Sequence, residues 1–88
     1  MRTAVLSHPA ISKHDLETFV SIMEMLGVFP QIEKRQHGEN AFTVTKCTIS
    51  YDSQTDLMTR EDRKSFDEDG HWGKIQKEWE RVGFAQTA

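Results

Sequence analysis

The sequence predicts a small two-layer α+β domain in the order β-α-β-β-(β)-α, with two helices on one face of a mostly antiparallel sheet. Three features point there. Residues 16–26 carry a strongly periodic amphipathic stripe closed by a glycine; residues 41–51 are dense in β-branched and aromatic side chains; and residues 72–82 repeat an apolar helical stripe, again followed by glycine. Eighty-eight residues are too few for two cores of useful size, so the expectation is a single domain over 1–88.

Arg-Thr-Ala-Val-Leu-Ser at 2–7 reads as a short strand ended by His8-Pro9, because the residue before proline is pushed out of helical geometry and proline cannot donate to a ladder. Ser12 lies three residues before Asp15, a capping-box-like start with Asp in place of the usual Glu. Helix one then spans 13–26: Leu16, Phe19, Val20, Met23 and Leu26 fall on one face, and Gly27 is the expected residue just past the end. Val28-Phe29-Pro30 leaves the helix. Residues 31–36 form a strand with Ile32 inward, and His37-Gly38-Glu39-Asn40 is a turn cluster.

Residues 41–51 are the strongest strand, but their alternation slips. Phe42 and Val44 share one parity, whereas Cys47, Ile49 and Tyr51 share the other. A β-bulge near Thr45-Lys46 reconciles them; the other arrangement is a strand covered on both faces. Residues 52–56 are a second turn, and Leu57-Met58-Thr59 a short further hairpin arm. Helix two opens around Asp69-Gly70, where Asp67, Glu68 and Asp69 set negative charge against the positive end of the helix dipole. It runs to about Val82, Gly83 stops it, Phe84 packs back and the final Gln-Thr-Ala frays. A ferredoxin-like arrangement needs one more strand, and the five residues after Gly83 leave the expected fold truncated before it.

Composition narrows the function classes. The apolar fraction is 36% and the charged fraction 28%, the balance of a folded polar domain rather than a disordered chain. A net charge of −3 argues against a general nucleic-acid binder, which neutralises phosphates with clustered Lys and Arg. The single cysteine, Cys47, allows no internal disulfide and points to a reducing compartment. Ala4-Val5-Leu6 is too short for a signal-peptide core, and no run approaches the roughly 20 apolar residues of a membrane span. The expected location is the cytoplasm, that of a host if the chain is phage-encoded.

Catalytic and metal motifs fail in turn. Placing Gly70 at the glycine of a calcium loop puts Ser65 first and Gln76 last, where Asp and Glu are required. His8, His14, His37 and His71 have no helical or strand ligand spacing and read as water-exposed turn or helix-start residues. Cys47 reads as a buried small hydrophobe rather than a nucleophile. No serine sits in a Gly-x-Ser-x-Gly turn, and no glycine loop can cradle phosphate. The expectation is no enzyme, no cofactor and no metal.

What remains is a contact surface. Eight of the eleven residues from Arg60 to Gly70 are charged, and this ramp feeds a helix with Trp72, Ile75, Trp79 and Val82 on one face. That stripe reads first as core, with Trp72 the tryptophan nearer the surface. Acidic runs are usually solvated turns, yet an exposed Trp beside charges is also the composition of a binding hot spot. The expected partner-binding residues are Glu61, Asp62, Phe66, Asp67, Glu68, Asp69 and Trp72. An acidic, motif-free chain of this size resembles, in type rather than in motif, phage- or plasmid-encoded accessory inhibitors, including anti-CRISPR and other anti-defence proteins. The resemblance implies a protein partner, such as a host protein or nucleic-acid-handling complex. Two other readings compete. One is a structural or regulatory homodimer joined through strand 41–51 as a sheet edge, and the other is nucleic-acid binding by Lys74, Lys77 and Arg81, opposed by Glu78 and Glu80 on the same helix.

Overall fold

The computed structural model describes residues 2–51 and 68–87. They form β1 (Arg2–Ser12), α1 (Lys13–Met25), β2 (Gln31–Gln36), β3 (Ala41–Tyr51), α2 (Glu68–Arg81) and β4 (Ala85–Gln86). The sheet runs β2-β3-β1-β4 and every neighbouring pair is antiparallel. The two-layer α+β class expected from the sequence is the observed one. The turn and hairpin arm expected over 52–59 lie outside the described residues.

Ser12 caps α1, its hydroxyl accepting from the Asp15 N–H at 3.1 Å. Leu16, Phe19 and Met23 are buried, with Val20, Ile22 and Leu26 packed beside them. At the far end Gly27 adopts φ 84°, its N–H reaches Glu24 O at 3.0 Å, and the Val28 N–H reaches Met23 O at 2.8 Å. That pair of bonds is a Schellman motif, completed by the buried side chains of Val28 and Met23. Helix α2 ends the same way: Gly83 has φ 96° and its N–H meets Glu80 O at 3.1 Å, while Phe84 N–H meets Trp79 O at 3.0 Å.

β3 lies inside the sheet, and its bulge is where the parity slip placed it. Leu6 pairs with Cys47 and His8 with Val44, so Ser7 faces both Thr45 and Lys46. The β2 ladder shifts at the same point, between Glu33 and Lys34. Val44, Cys47, Ile49 and Tyr51 consequently all turn inward, while Thr45 and Lys46 stay exposed. The expectation that 41–51 is a sheet edge is corrected here, because β1 and β2 occupy both of its sides.

β1 does not stop at His8-Pro9; it continues to Ser12 through a second bulge. Two residues, Pro9 and Ala10, oppose the single Thr43, and their backbone groups find side-chain partners. The Thr43 hydroxyl donates to Pro9 O at 2.8 Å, and the Ala10 N–H donates to His8 Nδ1 at 3.1 Å. Proline is tolerated because the bulge asks it for no N–H, and β4 flanks β1 only at Leu6 and Ser7.

A last strand does form, contrary to expectation. The Schellman turn at Gly83 sends the chain back along β1, and buried Phe84 anchors it against Phe19, ring centroids 4.6 Å apart. Ala85 and Gln86 then pair with Ser7 and Leu6, and the Thr87 N–H and hydroxyl reach Val5 O at 2.8 and 3.1 Å. The tail expected to fray is bonded as far as Thr87. With β4 in place, order and pairing match the split β-α-β, ferredoxin-like topology.

Among the described residues no helix is long and apolar enough to cross a membrane. The core gathers side chains from both helices and from β1 and β3, including Leu6, Phe19, Ile49, Ile75 and Trp79. A Cβ at Gly83 would lie 2.9 Å from His8 Nε2 on a left-handed backbone, whereas one at Gly38, φ 78°, would meet open space. In urea unfolding, Gly38→Ala should lose about 1 kcal/mol and Gly83→Ala clearly more, about 2–3 kcal/mol; equal losses would mean that the His8 contact is slack. Burial also pushes the Cys47 thiol from 9.0 up to about 11. The unfolded chain ionises first, so this group's stabilisation is intact below pH 9 and is lost as pH rises through 11. Wild type should therefore lose stability relative to Cys47→Ala over that range, and parallel pH curves would contradict it.

Candidate functional site

The end of α1 meets the start of α2. α1 stops at Leu26, whose carbonyl is one of the orphan acceptors of a helix C-terminus. The His71 imidazole, in the first turn of α2, supplies the missing donor, with Nε2 2.6 Å from Leu26 O. The ring lies against Tyr51 at a centroid distance of 4.7 Å. Met25 and Phe29 flank Leu26 in the chain. Both are large apolar residues left in water, Met25 at 85% and Phe29 at 73% exposure.

Trp72 follows His71 and is half-buried, edge-on to the buried Trp79 with ring centroids 5.6 Å apart. The aromatic stripe of α2 is thus mostly core: Ile75 and Trp79 are buried, while Trp72 and Val82 pack at its margin. Asp69, also in the first turn, is exposed and forms an ion pair with Arg2 of β1. Of the residues expected to bind a partner, Asp69 and Trp72 lie near the start of α2, on either side of His71. Glu68 begins α2. Glu61, Asp62, Phe66 and Asp67 lie outside the described residues.

Met25 and Phe29 were not selected from the sequence. Met25 falls off the 16-19-20-23-26 stripe, and Phe29 precedes Pro30 in a connection; a large apolar residue outside any stripe was the available signal.

The histidines need correction. His14 and His37 are exposed as expected, but His8 is buried and His71 half-buried. His8 Nε2 lies 2.7 Å from Val82 O and its Nδ1 accepts from Ala10 N–H. A carbonyl on one nitrogen and an N–H on the other fix the neutral Nε2–H tautomer. Phe84 closes over the ring edge-on, centroids 5.1 Å apart. Cys47 is fully buried and, with its thiol held protonated, has no nucleophilic character near neutral pH. On the outer face of α2, the Arg81 guanidinium is engaged by the Glu78 carboxylate, which breaks up the basic row of Lys74, Lys77 and Arg81.

A groove lies elsewhere, between the first half of α1 and the edge strand β2. Its volume is about 320 Å³, and Leu16, Val20, Ile32 and Phe42 line it together with Lys13 and Lys34.

No protein-family model, no curated protein and no solved structure matches this chain.

The Arg2–Asp69 pair is 40% and 79% exposed, so solvent screens it. A double-mutant cycle on Arg2→Ala and Asp69→Ala should give a coupling below about 1 kcal/mol. A larger coupling would make this pair a structural clasp and remove Asp69 from the contact surface.

Proposed function

We propose that this chain is a non-catalytic protein-binding module that meets its partner where α1 ends and α2 begins. The supporting observation is that Met25 and Phe29, around the end of α1, are both largely in water, while the Leu26 carbonyl between them in the chain is bonded to His71, the residue before half-buried Trp72. A monomer gains nothing by exposing two such side chains, and apolar groups rimmed by charge are the make-up of an interface centre. Aromatic anchors of this kind carry binding energy, while a rim carboxylate such as Asp69 steers approach toward a basic surface. With a net charge of −3, the partner that fits is a protein with a basic, apolar-centred recess. The finer reading is an inhibitor of a host protein or nucleic-acid-handling complex, of the phage- or plasmid-encoded anti-defence kind, anti-CRISPR proteins included.

The test is affinity capture from a host lysate with the wild-type chain and with Met25→Asp/Phe29→Asp. Both positions are exposed, so the double variant should unfold within a few degrees of wild type. It should lose at least about tenfold in binding to any captured protein, since each anchor is expected to contribute 1–2 kcal/mol or more. Asp69→Lys should slow association and weaken the salt dependence. Undiminished capture by Met25→Asp/Phe29→Asp would overturn the assignment of this surface.

A further inference from the structure

β2 is the outermost strand on its side, and no described residue pairs with its free edge. Along that edge alternate backbone N–H and C=O groups point outward, ready to accept another strand. The groove beside it continues the same surface: Ile32 belongs to β2, and Leu16, Val20 and Phe42 complete an apolar floor. Lys13 and Lys34 line it against one carboxylate, Glu17. The Lys34 ammonium is held 4.5 Å over the Phe42 ring, and Lys13 stands in the first turn of α1, at the positive end of its dipole. Among the described residues neither lysine has an ion-pair partner; the pairs there are Arg2–Asp69 and Arg81–Glu78. In a chain of net charge −3 this groove is locally cationic.

We propose that the β2 edge and its groove take an extended peptide segment of a partner by strand addition, an apolar residue entering the groove between two acidic ones. A strand's side chains alternate, so residues i, i+2 and i+4 of the peptide face the groove together, with the outer two set to meet Lys13 and Lys34. A second copy of this chain fits less well. With both helix layers kept on one face, the two longest antiparallel registers of β2 on itself oppose Glu33 to Glu33 or Lys34 to Lys34. This surface is separate from the one bearing Met25 and Phe29, and neither residue lines the groove.

The probe is the blocked heptapeptide Thr-Glu-Thr-Leu-Thr-Glu-Thr, titrated against the isotope-labelled chain with amide shifts and amide hydrogen exchange as readouts. Shifts should map to β2 and the first half of α1, and exchange should slow on alternate β2 amides. Lys13→Glu/Lys34→Glu should weaken binding by about tenfold, and replacing both peptide Glu by Lys should restore it to that variant. N-methylation of alternate peptide residues should abolish binding in one phase and spare it in the other, the signature of a ladder. Binding insensitive to both methylation phases, shifts confined to Met25, Phe29 and α2, or no binding at millimolar peptide would overturn the proposal. So would concentration-dependent dimerisation through β2 in the absence of peptide. Because Met25→Asp/Phe29→Asp leaves the groove intact, failure of one surface is read separately from failure of the other.

Discussion

A helix that ends inside a small protein leaves carbonyl groups that need donors, and here each helix closes that deficit with a histidine from another element. Leu26 O receives His71 Nε2, and Val82 O receives His8 Nε2. Both carbonyls sit one residue before a left-handed glycine, so the Schellman bonds serve the preceding turn and the imidazole serves the cap. The two contacts tie the end of α1 to the start of α2, and the end of α2 to the bulge of β1. A fully buried carbonyl stripped of its partner costs about 1–3 kcal/mol, and these part-buried ones less, against the roughly 4–13 kcal/mol that holds a domain this size. No buried side-chain nitrogen or oxygen among the described residues lacks a partner.

The His8 contact also explains features that look unrelated. Its ring stands where a Cβ on residue 83 would go, so the glycine is required by space as well as by φ. Its Nδ1 takes the Ala10 N–H that the bulge withdraws from the ladder, which lets Pro9 lie within a long strand. Phe84, packed on the same ring and on Phe19, carries the chain into β4. One imidazole therefore joins the bulge, the helix end and the last strand.

Local patterns were legible in the sequence, and contacts made at a distance were not. The stripe of α1, its Ser12 cap and Gly27 stop, and the slip at Thr45-Lys46 are written in residues a few positions apart, so periodicity finds them. Trp79 was readable as core and Trp72 as the outer tryptophan for the same reason. The run of β1 past Pro9 was hidden, because Thr43 and His8 accommodate the bulge through contacts that spacing does not reveal. His8 and Val82 are 74 residues apart, and the imidazole reads as a polar surface group until its carbonyl is seen. β4 escaped because two residues carry no strand signal; Phe84 and β1 make them a strand. At the candidate surface Trp72 and Asp69 were legible as aromatic and acid beside each other. Met25 and Phe29 stand out only once α1 is seen to end at Leu26 and leave both in water.

The most direct test of this account is the tautomer of His8, read from its imidazole nitrogen shifts near neutral pH. The account predicts a protonated Nε2 with a slowly exchanging proton and a bare, accepting Nδ1. A protonated Nδ1, or a ring averaging between tautomers and exchanging freely with water, would contradict the fastening of α2 to β1 on which the fold is argued to rest.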